Sequence, residues 1–156
     1  MRTARNKTPV IHADRLDELQ IGKGVVLKDG HDVAIIACGV LVSKSLEAAA
    51  KLEADGISAT VVDMHTIKPL DTELVDRLVA SNGCLVSAED HSIIGGLGGA
   101  LAEHICSTNP VPLERVGVRD RFGESGQAEE MLNLLSINTG DIIEAAMRAI
   151  TRKNGA

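Results

Sequence analysis

Three stretches of the sequence bring together residue types able to do chemistry. Glu89-Asp90-His91 sets two carboxylates beside an imidazole, a combination that can orient a general base or ligate a metal. Successive residues of an extended chain point in different directions, so adjacency alone makes no catalytic cluster; a hydrogen-bonded interface histidine is the expected role of His91. Gly95-Gly96-Leu97-Gly98-Gly99 falls where a strand gives way to a helix, and backbone amides there can hold a phosphate. It lacks the spacing of a nucleotide fingerprint and follows the fourth strand rather than the first. No acidic ribose partner comes after it. Close approach of a helix end to a neighbouring backbone is the expected use of these glycines. Arg119-Asp120-Arg121 offers two guanidinium groups that can clamp a sugar phosphate or a carboxylate. Phe122 beside it supplies an apolar anchor, which favours an interdomain surface. His12, His31, His65 and His104 have no evident partner and are read as structural or exposed.

The elements that must position these stretches follow from hydrophobic spacing. Gly24–Lys28 and Val33–Ala37 have strand length and are separated by the turn formers Asp29-Gly30. After Gly39 the spacing becomes helical through Val42, Leu46, Ala49 and Ala50, with Gly56 placed to stop the helix. Ala59–Met64 is the next strand. Asp71 can cap a helix whose inward stripe is Leu74, Val75, Leu78 and Val79, and Asn82-Gly83 closes it. Cys84–Ala88 is a fourth strand, Gly95-Gly96 opens a helix through Cys106, and Leu113–Val118 is a fifth strand. A helix near 127–135 precedes a last one capped by Thr139, with Ile142, Ile143, Ala146, Met147 and Ile150 turned inward. This alternation predicts an α/β fold: a three-layer α/β/α sandwich on a five-stranded, mostly parallel sheet. The first strand, joined to the second by a turn too short for a helix, is expected to run antiparallel. In such a sheet the loops after the strands carry function.

Composition narrows the classes. A chain of 156 residues is long enough for one domain with a core of its own. With 44% hydrophobic residues but one Phe and no Trp or Tyr, that core is aliphatic, as covered parallel sheets commonly are. A formal net charge of −6 and the lack of aromatics argue against nucleic acid as a partner. Cys38, Cys84 and Cys106 lack paired metal or redox spacing and read as buried free thiols. No segment has membrane-spanning length and the basic start has no apolar stretch behind it, so a cytoplasmic protein is expected.

The motifs, taken in order, resemble a family. Gly39-Val40-Leu41-Val42 before a helix, Asp55-Gly56-Ile57-Ser58-Ala59, Met64-His65-Thr66-Ile67-Lys68-Pro69-Leu70-Asp71, Glu89-Asp90-His91 with Gly95-Gly96-Leu97-Gly98, and Gly123-Glu124-Ser125-Gly126 followed by Glu129-Glu130-Met131-Leu132 together look like the C-terminal domain of transketolases, especially the split, two-subunit forms. The match runs from about Ile21 to Ile150. 1-Deoxy-xylulose 5-phosphate synthase and the 2-oxo acid dehydrogenase beta subunit share this domain. The dehydrogenase subunit tends to have a proline-rich segment where this chain has Gly123-Glu124-Ser125-Gly126.

The resemblance implies transfer of a two-carbon ketol unit between sugar phosphates, on thiamine diphosphate with magnesium. It places the cofactor site in a pyrophosphate-binding and a pyrimidine-binding domain, across a homodimer interface. None of that apparatus maps onto this chain, so no residue inherits a catalytic, cofactor-binding or metal role. Residues 1–20, including Arg2-Thr3-Ala4-Arg5, then read as an arm from the pyrimidine-binding domain, 21–152 as the domain and 153–156 as a tail. Glu89, Asp90, His91, Arg119, Asp120 and Arg121 are the candidates for facing other domains or a ligand. From another class, a stand-alone small-molecule-binding regulatory module has only the glycine loop in its favour.

Overall fold

A computed structural model describes residues 3–4, 7–14 and 16–155. Arg2 and Arg5 of the predicted arm lie outside the described residues. The order of elements is β1 (Val25–Lys28), β2 (Val33–Ala37), α1 (Leu41–Ala54), β3 (Ala59–Asp63), α2 (Thr72–Asn82), β4 (Leu85–Ser92), α3 (Leu97–Ser107), β5 (Leu113–Val118), α4 (Ala128–Leu134) and α5 (Thr139–Asn154).

The five strands form one sheet in the order β1-β3-β2-β4-β5, with β1 antiparallel and the other pairs parallel. Alternate residues of each strand serve two cores, as period-2 geometry requires. Val33, Ile35, Ala37, Val61 and Val86 meet α1 and α5 on one face. Ala34, Ile36, Val62 and Leu85 meet α2 and α3 on the other. Every residue of β2 and β3 is buried, which explains their continuous apolar runs.

Several details depart from the sequence-based expectations. β1 is antiparallel as expected, but it pairs with β3, which separates it from β2. The intervening turn lies flat on the start of β3. A Cβ on Gly30 would overlap the Ala59–Thr60 peptide, and Thr60 Oγ1 donates to the Gly30 carbonyl at 2.8 Å. β4 runs on through Ser92, so Glu89, Asp90 and His91 belong to the strand rather than to the loop after it. Asn138, not Thr139, caps α5: its Oδ1 accepts from Thr139 N–H at 2.8 Å and its own N–H donates to Asp141 at 2.8 Å. The Thr139 hydroxyl instead donates to Glu47 of α1 at 2.9 Å. On α5 the fully buried positions are Ile142, Ala145, Ala146 and Ala149, whereas Met147, expected inside, is half-exposed. Cys38 and Cys84 are buried, whereas Cys106 is exposed.

The Asp71 cap is formed as read. Its carboxylate accepts from the N–H of Leu74 at 3.2 Å and from Gly24 N–H at 3.0 Å, tying β1 to α2. Burial opposes ionisation of this carboxyl, but the two amides and Lys23 outweigh it and hold its pKa below the ordinary value of 3.8. A carboxyl depressed on folding contributes stability that is present above its unfolded pKa and is lost as pH falls through its folded one. Asp71→Ala is therefore expected to cost about 1 kcal/mol near neutral pH, the usual loss of a cap. The gap from the parent chain should narrow in acid. Urea unfolding at both pH values measures this, and an unchanged midpoint at neutral pH would show that Asp71 is not the cap.

Candidate functional site

The carboxyl ends of the parallel strands hold most of the sequence-predicted site residues. Glu89 lies on the α2/α3 face of β4 and is fully buried. Beyond it the chain turns through Gly95 at φ 72 and enters α3 from Gly96. Glu89 Oε2 accepts from Leu97 N–H at 2.6 Å and Oε1 from Gly98 N–H at 2.9 Å. The anion-binding end of α3 is thus filled by the chain's own carboxylate. A Cβ on Gly96 would collide with Glu89 Oε2 and His91 Nε2, and one on Gly98 with Ser87 and Arg115, so these two glycines serve close packing.

His91, two residues on and on the same face, turns Nε2 to Glu89 Oε2 at 2.6 Å. This charge-assisted bond orients the imidazole, whose side chain is 30% exposed. Asp90 points to the opposite face, and its Oδ1 is 3.9 Å from His91 Nδ1. The three adjacent residues therefore divide: Glu89 and His91 form a pair, and Asp90 faces the α1 side beside Gly39. Arg119, Asp120 and Arg121 follow β5 and are all exposed, with Arg121 paired to Glu124 and Asp120 at φ 40. Phe122 is 96% exposed, an apolar ring with no cover among the described residues.

Two pairs escaped the sequence reading. His12 of the arm bonds Asp63 at the end of β3, Nε2 to Oδ2 at 2.8 Å. His104 of α3 bonds Asp76 of α2 at 2.7 Å. The partners are separated by 51 and 28 residues, beyond any local pattern. The available signal was Asp63 itself, a carboxylate ending an otherwise apolar strand.

The start of α3 does not fit the pyrophosphate of thiamine diphosphate. Glu89 fills the helix end that could have taken a pyrophosphate, and the described residues contain no group of three or more His, Cys, Asp or Glu able to hold a metal. No described helix is long and apolar enough to cross a membrane.

The sequence profile of the transketolase C-terminal domain matches residues 22–142. The chain belongs to the transketolase C-terminal domain family. It is 42% identical, over 95% of its length, to the 6-deoxy-6-sulfo-D-fructose transketolase subunit SqwH of Clostridium sp., strain MSTE9. It spans 46% of that protein. A 1-deoxy-D-xylulose-5-phosphate synthase of Chlorobium luteolum is 39% identical over 81% of the chain, which covers 20% of that enzyme. Among solved structures, a split-gene transketolase described as an inactive beta4 tetramer superposes with a TM-score of 0.91 at 42% identity, over 96% of this chain and 48% of that one. The five-stranded mixed sheet and its helices are the fold of that domain.

The Glu89 arrangement yields a stability test. Glu89→Gln keeps the size but turns an amino group toward donors that need an acceptor, and an unsatisfied buried partner costs about 2 kcal/mol. For a domain of this size that lowers the melting temperature by about 4–8 °C. Thermal unfolding measures it, and an unaltered melting temperature would remove Glu89 from its role at the head of α3.

Proposed function

We propose that this chain is the C-terminal, non-catalytic assembly domain of a transketolase that transfers a two-carbon ketol unit between sugar phosphates. The observation that carries this reading is the 42% identity to a transketolase subunit of which the chain spans less than half. In this reading thiamine diphosphate and magnesium belong to pyrophosphate- and pyrimidine-binding domains outside these residues, in a cytoplasmic homodimer. Residues 1–20 connect to the pyrimidine-binding domain, 21–152 form the body and 153–156 the tail. Asp90, His91, Arg119, Asp120 and Arg121 then face other domains, with Glu89, itself buried, holding His91 in place, and Phe122 supplies an apolar contact on the charged loop. Similarity to 1-deoxy-D-xylulose-5-phosphate synthases supports a second parent of the same cofactor class. Product analysis with the completed enzyme separates the two.

The isolated chain is expected to fold yet to show no thermal response to millimolar thiamine diphosphate and magnesium. Occupancy at a hundred times the dissociation constant would stabilise the native state by about 2.7 kcal/mol. That corresponds to a rise of about 5–11 °C in the melting temperature. A rise of that size would place cofactor binding in this chain and overturn the assembly reading.

The charged loop gives a complementary test. Arg119→Ala or Asp120→Ala is expected to leave the isolated domain within about 0.5 kcal/mol of its parent, as exposed substitutions do. The same changes should weaken association with the cofactor-binding part, read by sedimentation. Unfolding of the isolated variant would put the loop in this domain's own network instead.

A further inference from the structure

The approach of the chain to the body is fixed at two points. His12 Nε2 lies 2.8 Å from Asp63 Oδ2, and both side chains are largely buried. Further on, Gly22 turns at φ 83 with Pro69 against it, and Gly24 N–H is held by Asp71 at 3.0 Å. Up to the first anchor the arm leans inward. Pro9, Ile11 and His12 wall a cavity, a crevice at the carboxyl ends of β2, β3 and β4, and Ile11 packs on the core beneath α1 and α5. Between the anchors the chain leaves the body: every described residue from Ala13 to Ile21 is exposed.

This loop has a local structure and an apolar face of its own. A 3-10 turn spans Leu16–Glu18, Leu19 N–H donates to the Leu16 carbonyl at 3.3 Å, and Lys23 N–H donates to that of Gln20 at 3.0 Å. Leu16 is 67% and Ile21 88% exposed, Leu19 is exposed beside them, and so is Val10 just ahead of the first anchor. These four are half of the large apolar side chains exposed among the described residues. Such a concentration on one short stretch marks a contact surface. Asp14, Asp17 and Glu18 are interspersed with the leucines, and Arg15 is the one base in this part of the sequence. Fixing both ends lowers the entropy that a loop loses on docking.

The occupant follows from what the loop is shared with. The transketolase C-terminal profile begins at Gly22, the second anchor, so residues 13–21 lie ahead of that domain. The similarity to SqwH nevertheless runs over 95% of the chain, too much to leave the loop out, and the chain spans 46% of that subunit. The loop thus belongs to what this chain has in common with a longer transketolase subunit, at the border of its C-terminal domain.

We propose that residues 13–21 form a docking loop for the cofactor-binding part of the transketolase, seating Leu16, Leu19 and Ile21 in an apolar groove whose rim is basic. This rests on the transketolase reading. The basic rim answers Asp14, Asp17 and Glu18. The anchors set the direction: His12 on Asp63 and Gly22 on Pro69 refer the loop to the end of β3 and the chain after it, so docking the loop orients the sheet.

Sedimentation of the chain with a separately produced cofactor-binding part tests this, with hydrogen exchange followed in the same mixture. The parent chain is expected to associate, and the amides of residues 13–21 to exchange about tenfold or more slowly in the complex than in the free chain. Leu16→Ser with Ile21→Ser should weaken association about tenfold or more, as loss of apolar anchors does, and leave the melting temperature of the isolated chain unchanged. Asp14→Lys with Asp17→Lys should weaken association as well, by a factor that shrinks as salt is raised. Association that either variant leaves unchanged, or loop amides that exchange equally fast free and bound, overturns the proposal while the transketolase reading stands. A serine variant with a lowered melting temperature assigns the loop to the body's own packing and overturns it also. Failure of the parent chain to associate at all overturns the transketolase reading, and the proposal with it.

Discussion

The buried carboxylate of Glu89 is the interaction on which the functional end of this domain depends. A charge with no exposed surface is costly unless every oxygen is used. Here the amides of Leu97 and Gly98 and the imidazole of His91 use both. The consequence is geometric. The end of β4, the start of α3 and the plane of His91 are referred to one side chain, and Gly96 must lack a Cβ to let the carboxylate in. A helix end that could have received a ligand is converted into a fixed joint. The open helix start at this end of the sheet is then that of α1.

The opposite end of the sheet is fastened by bonds to main-chain carbonyls. Lys153 Nζ donates to the carbonyl of Asp32 at 3.0 Å and to that of Asn82 at 2.8 Å, capping α2 from α5. Asp32 in turn accepts from Ser58 N–H at 2.7 Å, and Asn82 donates to Thr60 at 3.1 Å. These bonds join both helical layers to the turn before β2. On the edge, Glu114 draws in Arg152 and Arg148 at 2.7 and 3.2 Å. Burial raises the cost of its charge, but the two guanidinium groups outweigh it and hold the carboxyl below its ordinary pKa. The rigid end and the open end are thus built from different chemistry: paired and capped groups at one, buried orphan atoms at the other.

Much of this architecture was legible in the sequence because the core is aliphatic and its periods are clean. The runs Val33–Ala37 and Ala59–Met64 cannot be amphipathic strands, and the stripe Leu74, Val75, Leu78, Val79 turned inward as its spacing requires. What stayed hidden depends on partners distant in the chain. The pairing of β1 with β3 rests on Gly30 lying against Ala59, a contact between turns that no propensity encodes. The choice of Asn138 over Thr139 as cap is a shift of one residue between two good capping types. Of the candidate site, the residues were found but their grouping was not. The bond of His91 to Glu89 follows from period-2 geometry only once β4 is known to continue through Ser92. His12 meets Asp63 only through the path of the arm.

The two ends of the parallel strands also differ in what they demand of neighbouring chain. A buried acid with a free oxygen is held in place only while its surroundings exclude competing water or supply a partner. At Asp63 both tasks fall to the arm, which brings His12 to one oxygen and covers the other. The arm is therefore not a passive lead into the body: its position is coupled to the hydrogen bonding of Asp63. Gly39, at φ +61, lies two residues past the position paired with Asp63 and starts the open helix. Any group that satisfies Asp63 from the cavity must displace the arm or rearrange it. The crevice and the arm are in that sense one structural unit.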